Sequence, residues 1–142
     1  MEWMLLPYRR YADFSGRSGR QEYWMFILFN IVIYLVLGGA SLAYFIHKAT
    51  DVDYAPGRSL PVVGIVGVIL LAIFALGSFI PSIAVQVRRF HDQDKSGWFI
   101  LLGFVPYVGG LVVLVFMCLE GTRGPNRFGP DPRDPYNANV FG

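Results

Sequence analysis

The residues best suited to chemistry fall in three short polar clusters. The densest is Arg88-Arg89-Phe90-His91-Asp92. A His-Asp dipeptide suggests a metal-dependent phosphohydrolase, but ligand supply argues against one. The only other histidine is His47, which three complete membrane crossings would put on the opposite side. Neighbouring helical residues also point apart, so Asp92 is not placed to orient His91. Basic residues here suit the negative end of a helix dipole and anchor a membrane helix at the cytoplasmic face. Arg88 and Asp92, four apart, are expected to pair on one face if the helix continues.

The second cluster, Gly16 to Trp24, carries Arg17, Arg20 and Glu22. Ser18 is positioned to cap a helix, with Gln21 or Glu22 in its first turn. The glycines do not build a phosphate loop, because no Gly-x-x-x-x-Gly-Lys-Ser/Thr pattern exists in the chain. The third cluster, Glu120 to Pro132, contains Asn126, Arg127 and Asp131 among glycines and prolines. Glu120 opposes the dipole of any helix it ends and calls for a cation; Arg123 and Arg127 are within local reach. The turn residues point to one fixed fold-back rather than a loose tail.

These clusters supply no catalytic residue and no metal ligand, and they call for no cofactor. They supply headgroup- or partner-binding candidates: Arg17, Arg20, Glu22, Arg88, Arg89, His91, Asp92, Trp98, Asn126, Arg127 and Asp131. The expected partners are membrane lipids, with a second copy of the chain or another membrane protein beside them. A net charge of +2 points away from nucleic acid.

The elements that position the clusters are legible from charge. The chain has 142 residues, 54% hydrophobic and only 15% charged, where a soluble domain is about a quarter charged. Every Lys, Arg, Asp and Glu lies outside three runs, 24–45, 60–87 and 98–119. Each is long enough to cross about 30 Å of hydrocarbon as a helix, and none shows the polar face of a soluble helix. The chain is therefore expected to be an all-α integral membrane protein with three hydrophobic membrane helices, forming a single membrane domain. Residues 1–23 form an N-terminal interfacial segment, in which Pro7 breaks any continuous helix. Residues 120–142 form a Gly/Pro-rich C-terminal tail, and 46–59 a plain connector. Ser96 is positioned to cap the third helix. Asn30 and Gln86 are candidates for interhelical hydrogen bonds. Cys118, alone in an apolar run, reads as a small hydrophobe.

Gly103, Pro106, Gly109 and Gly110 sit near the middle of the third run. They offer a re-entrant hairpin as the alternative to a full crossing. Full crossing is favoured by length and is the expected arrangement. It places seven Lys/Arg on the N-terminal side against five, whereas the hairpin gives ten against two. Both counts put the N-terminus in the cytoplasm.

Gly-Arg-x-x-Arg-x-Glu-Tyr-Trp at 16–24, Arg-Arg-Phe-His-Asp-x-Asp-x-Ser-Gly-Trp at 88–98 and Gly-Thr-x-Gly-x-Asn-Arg-Phe-Gly-Pro-Asp-Pro at 121–132 resemble the small bacterial inner-membrane proteins of domain-of-unknown-function family 805. The resemblance covers nearly the whole chain. It departs at Phe90, where the family commonly has Leu, and in a longer loop around 51–59. It implies a bacterial cytoplasmic membrane location and no activity, so no site residue is carried over. The functional expectation is a non-enzymatic membrane protein binding headgroups or a partner through its Arg-rich motifs. The alternatives are a small oligomeric transporter or channel subunit, and a lipid-headgroup enzyme using His91, Asp92, Asp94 and Glu120. Absence of charge inside the runs lowers the transporter reading.

Overall fold

The computed structural model describes residues 2–50 and 62–133. The connector residues 51–59, the first residues of the second apolar run and the tail beyond 133 lie outside the described residues. Among the described residues the structure is helical, with one isolated antiparallel bridge, Asn126 to Gly129. In order come α1 (Glu2–Arg9), α2 (Arg20–Thr50), α3 (Val62–Asp92), a 3₁₀ helix η1 (Gly97–Phe104) and α4 (Gly109–Cys118).

Helices α2 and α3 have 31 residues each and are apolar enough to cross a membrane. At 1.5 Å per residue each reaches about 46 Å, beyond the hydrocarbon thickness. Their polar ends, including Arg20–Tyr23 and Arg88–Asp92, therefore continue as helix past the uncharged runs. Ile46 to Thr50, expected as loop, belongs to α2. Helix is the only open-ended way to satisfy every backbone group in lipid, which is why β-branched and glycine-rich stretches adopt it here.

Two compact units divide the described chain, residues 28–79 and residues 2–27 with 80–133. In the first, the adjoining parts of α2 and α3 pair antiparallel. Tyr34 meets Phe74 edge-on at 5.3 Å. Gly64 lies against Tyr44 and Phe45, and Gly67 against Ser41, so closely that an added Cβ would overlap them. Ser41 turns its hydroxyl back onto the Leu37 carbonyl at 2.7 Å. The outward side chains are apolar: Leu35 is 69% and Leu76 76% exposed, which suits lipid and not water.

In the other unit, Tyr23, Phe26, Val85, Phe90, Val113 and Met117 form the core. Helix α1 packs there through Tyr8, 5.3 Å from the Phe26 ring. Pro7 does not break α1: it lies inside the helix and is buried, and packing offsets the backbone hydrogen bond it cannot make. Ser18 does not cap α2. The helix begins at Arg20, and the Gly19 carbonyl accepts the first turn's bond from Tyr23 at 3.2 Å. Ser96 does cap η1, its hydroxyl accepting from the Trp98 N–H. Gln86 of α3 lies beside the Tyr23 side chain of α2.

The third run is not the single helix expected but two shorter ones. It breaks at residues 105–108, where Tyr107 has φ 65°, and η1 and α4 pack against each other. At their eight and ten residues, each reaches only about 15 Å. Gly109 touches the Leu102 carbonyl where no Cβ would fit. Both ends return to the C-terminal end of α3: Gly97 packs on Val87 and His91, and Gly121 on Asp92.

Candidate functional site

The motif residues converge at the C-terminal end of α3. Asp94 in the left-handed region (φ 56°) ends that helix, with the Lys95 N–H bonded to the Phe90 carbonyl at 3.0 Å. Three arginines are enclosed there: Arg88 and Arg89 are 0% exposed and Arg17 3%. Unpaired buried charge costs several kcal/mol, so each must be neutralised by partners the fold brings to it.

Arg88 of α3 faces Glu22 of α2, Nη2 to Oε1 at 3.1 Å, with both side chains wholly buried. Its Nη1 donates to the Asp13 carbonyl at 2.7 Å. Arg17 donates from Nε to Asp92 Oδ1 at 3.0 Å. Its terminal nitrogens reach the Thr122 and Gly124 carbonyls, both at 2.6 Å, and Asp131 stands 4.0 Å away. Arg89 binds the other oxygen of Asp92 and the Leu119 carbonyl; it also donates to the Met117 carbonyl at 3.4 Å. A guanidinium suits this role because its rigid fork satisfies several acceptors at once. Arg89 thereby serves the free carbonyls at the C-terminus of α4, where a cation also complements the dipole.

The C-terminal segment completes the cap. The Thr122 N–H donates to the Asp92 carbonyl at 2.8 Å, and a Cβ on Gly121 would overlap the Asp92 carboxylate. Asn126 donates to the His91 carbonyl at 2.9 Å and the Thr122 hydroxyl at 3.0 Å. Asp131 accepts from the Gly124 N–H at 3.0 Å and from Arg133. The Arg133 hydrogen bond, outweighing burial, holds the Asp131 carboxyl below the usual carboxylate range. In the N-terminal loop, burial raises the Asp13 carboxyl, but hydrogen bonds from Ser15 and Arg10 more than offset it and bring it to about 2.

Arg17, Glu22, Arg88, Arg89, Asp92, Asn126 and Asp131 are thus brought together in one cluster. Two expected pairings are corrected. Asp92 pairs with Arg89, three residues back, and with Arg17, while Arg88 takes Glu22. Glu120 pairs with Arg20 at 2.9 Å, not with its near neighbours; Arg127 instead pairs with Asp94 at 3.0 Å. Arg20 and Arg127 lie on the exposed rim. His91 stands apart from Asp92, its Nδ1 3.2 Å from the Gly16 carbonyl and its ring stacked on Phe128. Trp98 is outside the cluster and 77% exposed. Gly121, Thr122, Phe128 and Arg133 were not singled out by sequence. Their only signal was membership of the third motif or its neighbourhood. Among the described residues no three His, Cys, Asp or Glu side chains gather as a metal site would need.

The family described as "Protein of unknown function (DUF805)" matches residues 11–130, which takes in the first two motifs and most of the third. Inner membrane protein YhaH of Escherichia coli (strain K12) is 42% identical over 133 residues, covering 94% of this chain and 98% of its own length. Inner membrane protein YhaI of the same strain is 40% identical, covering 94% and 97%. The uncharacterized protein YiiR of that strain is 27% identical over 153 residues, covering 89% and 91%. No solved structure matches the chain.

Proposed function

The chain belongs to the DUF805 family of proteins of unknown function, and from that membership and the geometry of the cap we propose a non-enzymatic inner-membrane protein that holds lipid headgroups. The relatives named inner membrane proteins and the two long apolar helices support that location. In this reading α2 and α3 cross the membrane, and the third run enters and returns as a re-entrant hairpin. Both termini are then cytoplasmic, with all the basic residues except Lys48 and Arg58 on that side, as the positive-inside rule requires.

The observation that carries the headgroup reading is where charge stops. The uncharged runs end at Val87 and begin at Trp24, so the cap is built at headgroup depth. The buried arginines hold its shape, and the exposed Arg20, Arg127 and Trp98 are what it offers to lipid. Each exposed basic residue near an anionic surface is worth about 1 kcal/mol. Protein purified in mild detergent is expected to carry phospholipid, and Arg20→Gln with Arg127→Gln to lower the amount bound at low salt. Lipid-free protein, or an unchanged lipid count in the folded double variant, would overturn the reading. A periplasm-active reporter should work between α2 and α3 and fail at either terminus; activity both between α2 and α3 and at the C-terminus would restore the full crossing.

The exposed turn at 105–108 favours a second copy of the chain as partner. Irregular backbone at membrane depth must be covered by protein, and Tyr107 is entirely exposed. Cross-linking between chains bearing Tyr107→Cys tests this, and monomer alone would exclude it.

A further inference from the structure

We propose that a cavity beside His91 selects phospholipids whose headgroup carries a hydrogen-bond donor, an ethanolamine ammonium or a glycerol hydroxyl, which the imidazole Nε2 accepts. This rests on the headgroup-binding reading and names its ligand class. The cavity is about 360 Å³ and is lined by Val87, His91, Ser96, Gly97, Trp98 and Ile100. The buried ion pairs play no part in it.

The tautomer follows from the partners. Nδ1 lies 3.2 Å from the Gly16 carbonyl oxygen, which only accepts, so Nδ1 carries the hydrogen. An ordinary imidazole is mostly neutral above pH 7, and in the neutral ring Nε2 then presents a lone pair. The ring is held in place: it stacks on Phe128 with centroids 3.9 Å apart and planes 3° from parallel. Phe128 is fixed by its own N–H, which donates to Asn126 Oδ1 at 2.9 Å. Nε2 therefore points in one direction. The Cβ that Gly97 lacks would sit 3.4 Å from Nε2, so the absent side chain is what leaves this atom open to the cavity. Among the described residues no donor is bonded to Nε2.

The other walls suit the rest of a phospholipid. The Ser96 oxygen accepts the Trp98 backbone N–H at 3.5 Å, which leaves its hydroxyl hydrogen for a phosphodiester oxygen. Trp98, which also lines the cavity and is largely exposed, carries an indole N–H as a second donor. Val87 and Ile100 offer apolar wall to the first methylenes of an acyl chain. Val87 is the last residue of its uncharged run, so the cavity sits where phosphates sit.

The test is a competition at pH 8. Full-length protein in mild detergent receives equimolar phosphatidylethanolamine, phosphatidylglycerol and phosphatidylcholine with identical acyl chains, and native mass spectrometry counts what stays bound. Phosphatidylcholine has the phosphodiester but no headgroup donor. Ethanolamine or glycerol lipid is expected to exceed it about fivefold, the factor one hydrogen bond of ordinary net strength supplies. Whichever of the two leads identifies the donor as ammonium or hydroxyl. His91→Asn keeps an amide N–H near the Gly16 carbonyl and has nothing at the Nε2 position, so its preference should fall toward one. His91→Gln places an amide group near that position and should keep part of it. Equal retention of all three lipids by the unaltered protein, or an undiminished preference in folded His91→Asn, overturns this proposal and leaves headgroup binding standing. No retained lipid overturns both.

Discussion

At Arg88 and Arg89 two guanidinium groups are wholly enclosed, and the nearby Asp92 carboxylate, the distant Glu22 carboxylate and main-chain carbonyls from distant parts of the chain close around them. At Gly64 and Gly67, in the other unit, the contact is backbone against Ser41, Tyr44 and Phe45 with no ion pair involved. The first arrangement depends on partners that must all be present, because removing one strands another. The second depends on shape alone, since lipid competes with side chains for apolar contact and close backbone approach is what favours protein over lipid. The cap should therefore be brittle to single changes, and the helix pair tolerant wherever backbones do not touch.

Asp92 is the sharpest place to break that contrast. Asp92→Ala strands Arg17 and Arg89 together and is expected to cost about 3–5 kcal/mol, read as a lower melting temperature in detergent. Trypsin should then cut at Arg123 and Arg127 faster than in the unaltered protein; an unchanged digest would mean that the cluster does not hold the tail. Replacing Arg88 and Arg89 by Lys comes next. Charge and insertion are preserved, so topology reporters should be unaffected. The fork-shaped contacts to Glu22, Asp92 and the Leu119 carbonyl are lost, at about 2 kcal/mol each. Stability equal to the unaltered protein would show that charge alone suffices.

In the helix pair, Gly67→Ala should cost about 1–3 kcal/mol by overpacking against Ser41, and Ser41→Gly should restore much of it. Lipid-facing Leu35→Ile or Leu76→Ile should stay within about 0.5 kcal/mol; a larger loss at either would place protein where lipid is expected. The smallest effect is with pH. Asp13 and Asp131 ionise below the usual carboxylate range in the fold, so their contribution is fully present above the unfolded value near 4. It fades as pH falls toward about 2. Cap protection should weaken over that window, while the paired segments 28–50 and 62–79, which hold no carboxylate, should keep their helicity.

The membrane class, the first two helices and the Ser96 cap were legible from residues alone. Each rests on a local property, an uncharged run longer than a bilayer or a hydroxyl two residues before an N–H. The convergence of the three motifs was legible only as proximity to helix ends. Composition does not distinguish a 22-residue apolar run that crosses from one that doubles back, because lipid accepts both surfaces. The break in the run shows at the Gly109 approach to the Leu102 carbonyl, a contact that exists only after the chain has turned. Ion pairing was misread for the same reason. Glu120 has two arginines within seven residues, yet pairs with Arg20, a hundred residues away. Asp92 passes over Arg88, because the fold sets Glu22 against that guanidinium and brings Arg17 to the carboxylate instead. Sequence fixes which charges must find partners on leaving water; the reversal of the third run determines which ones come within reach.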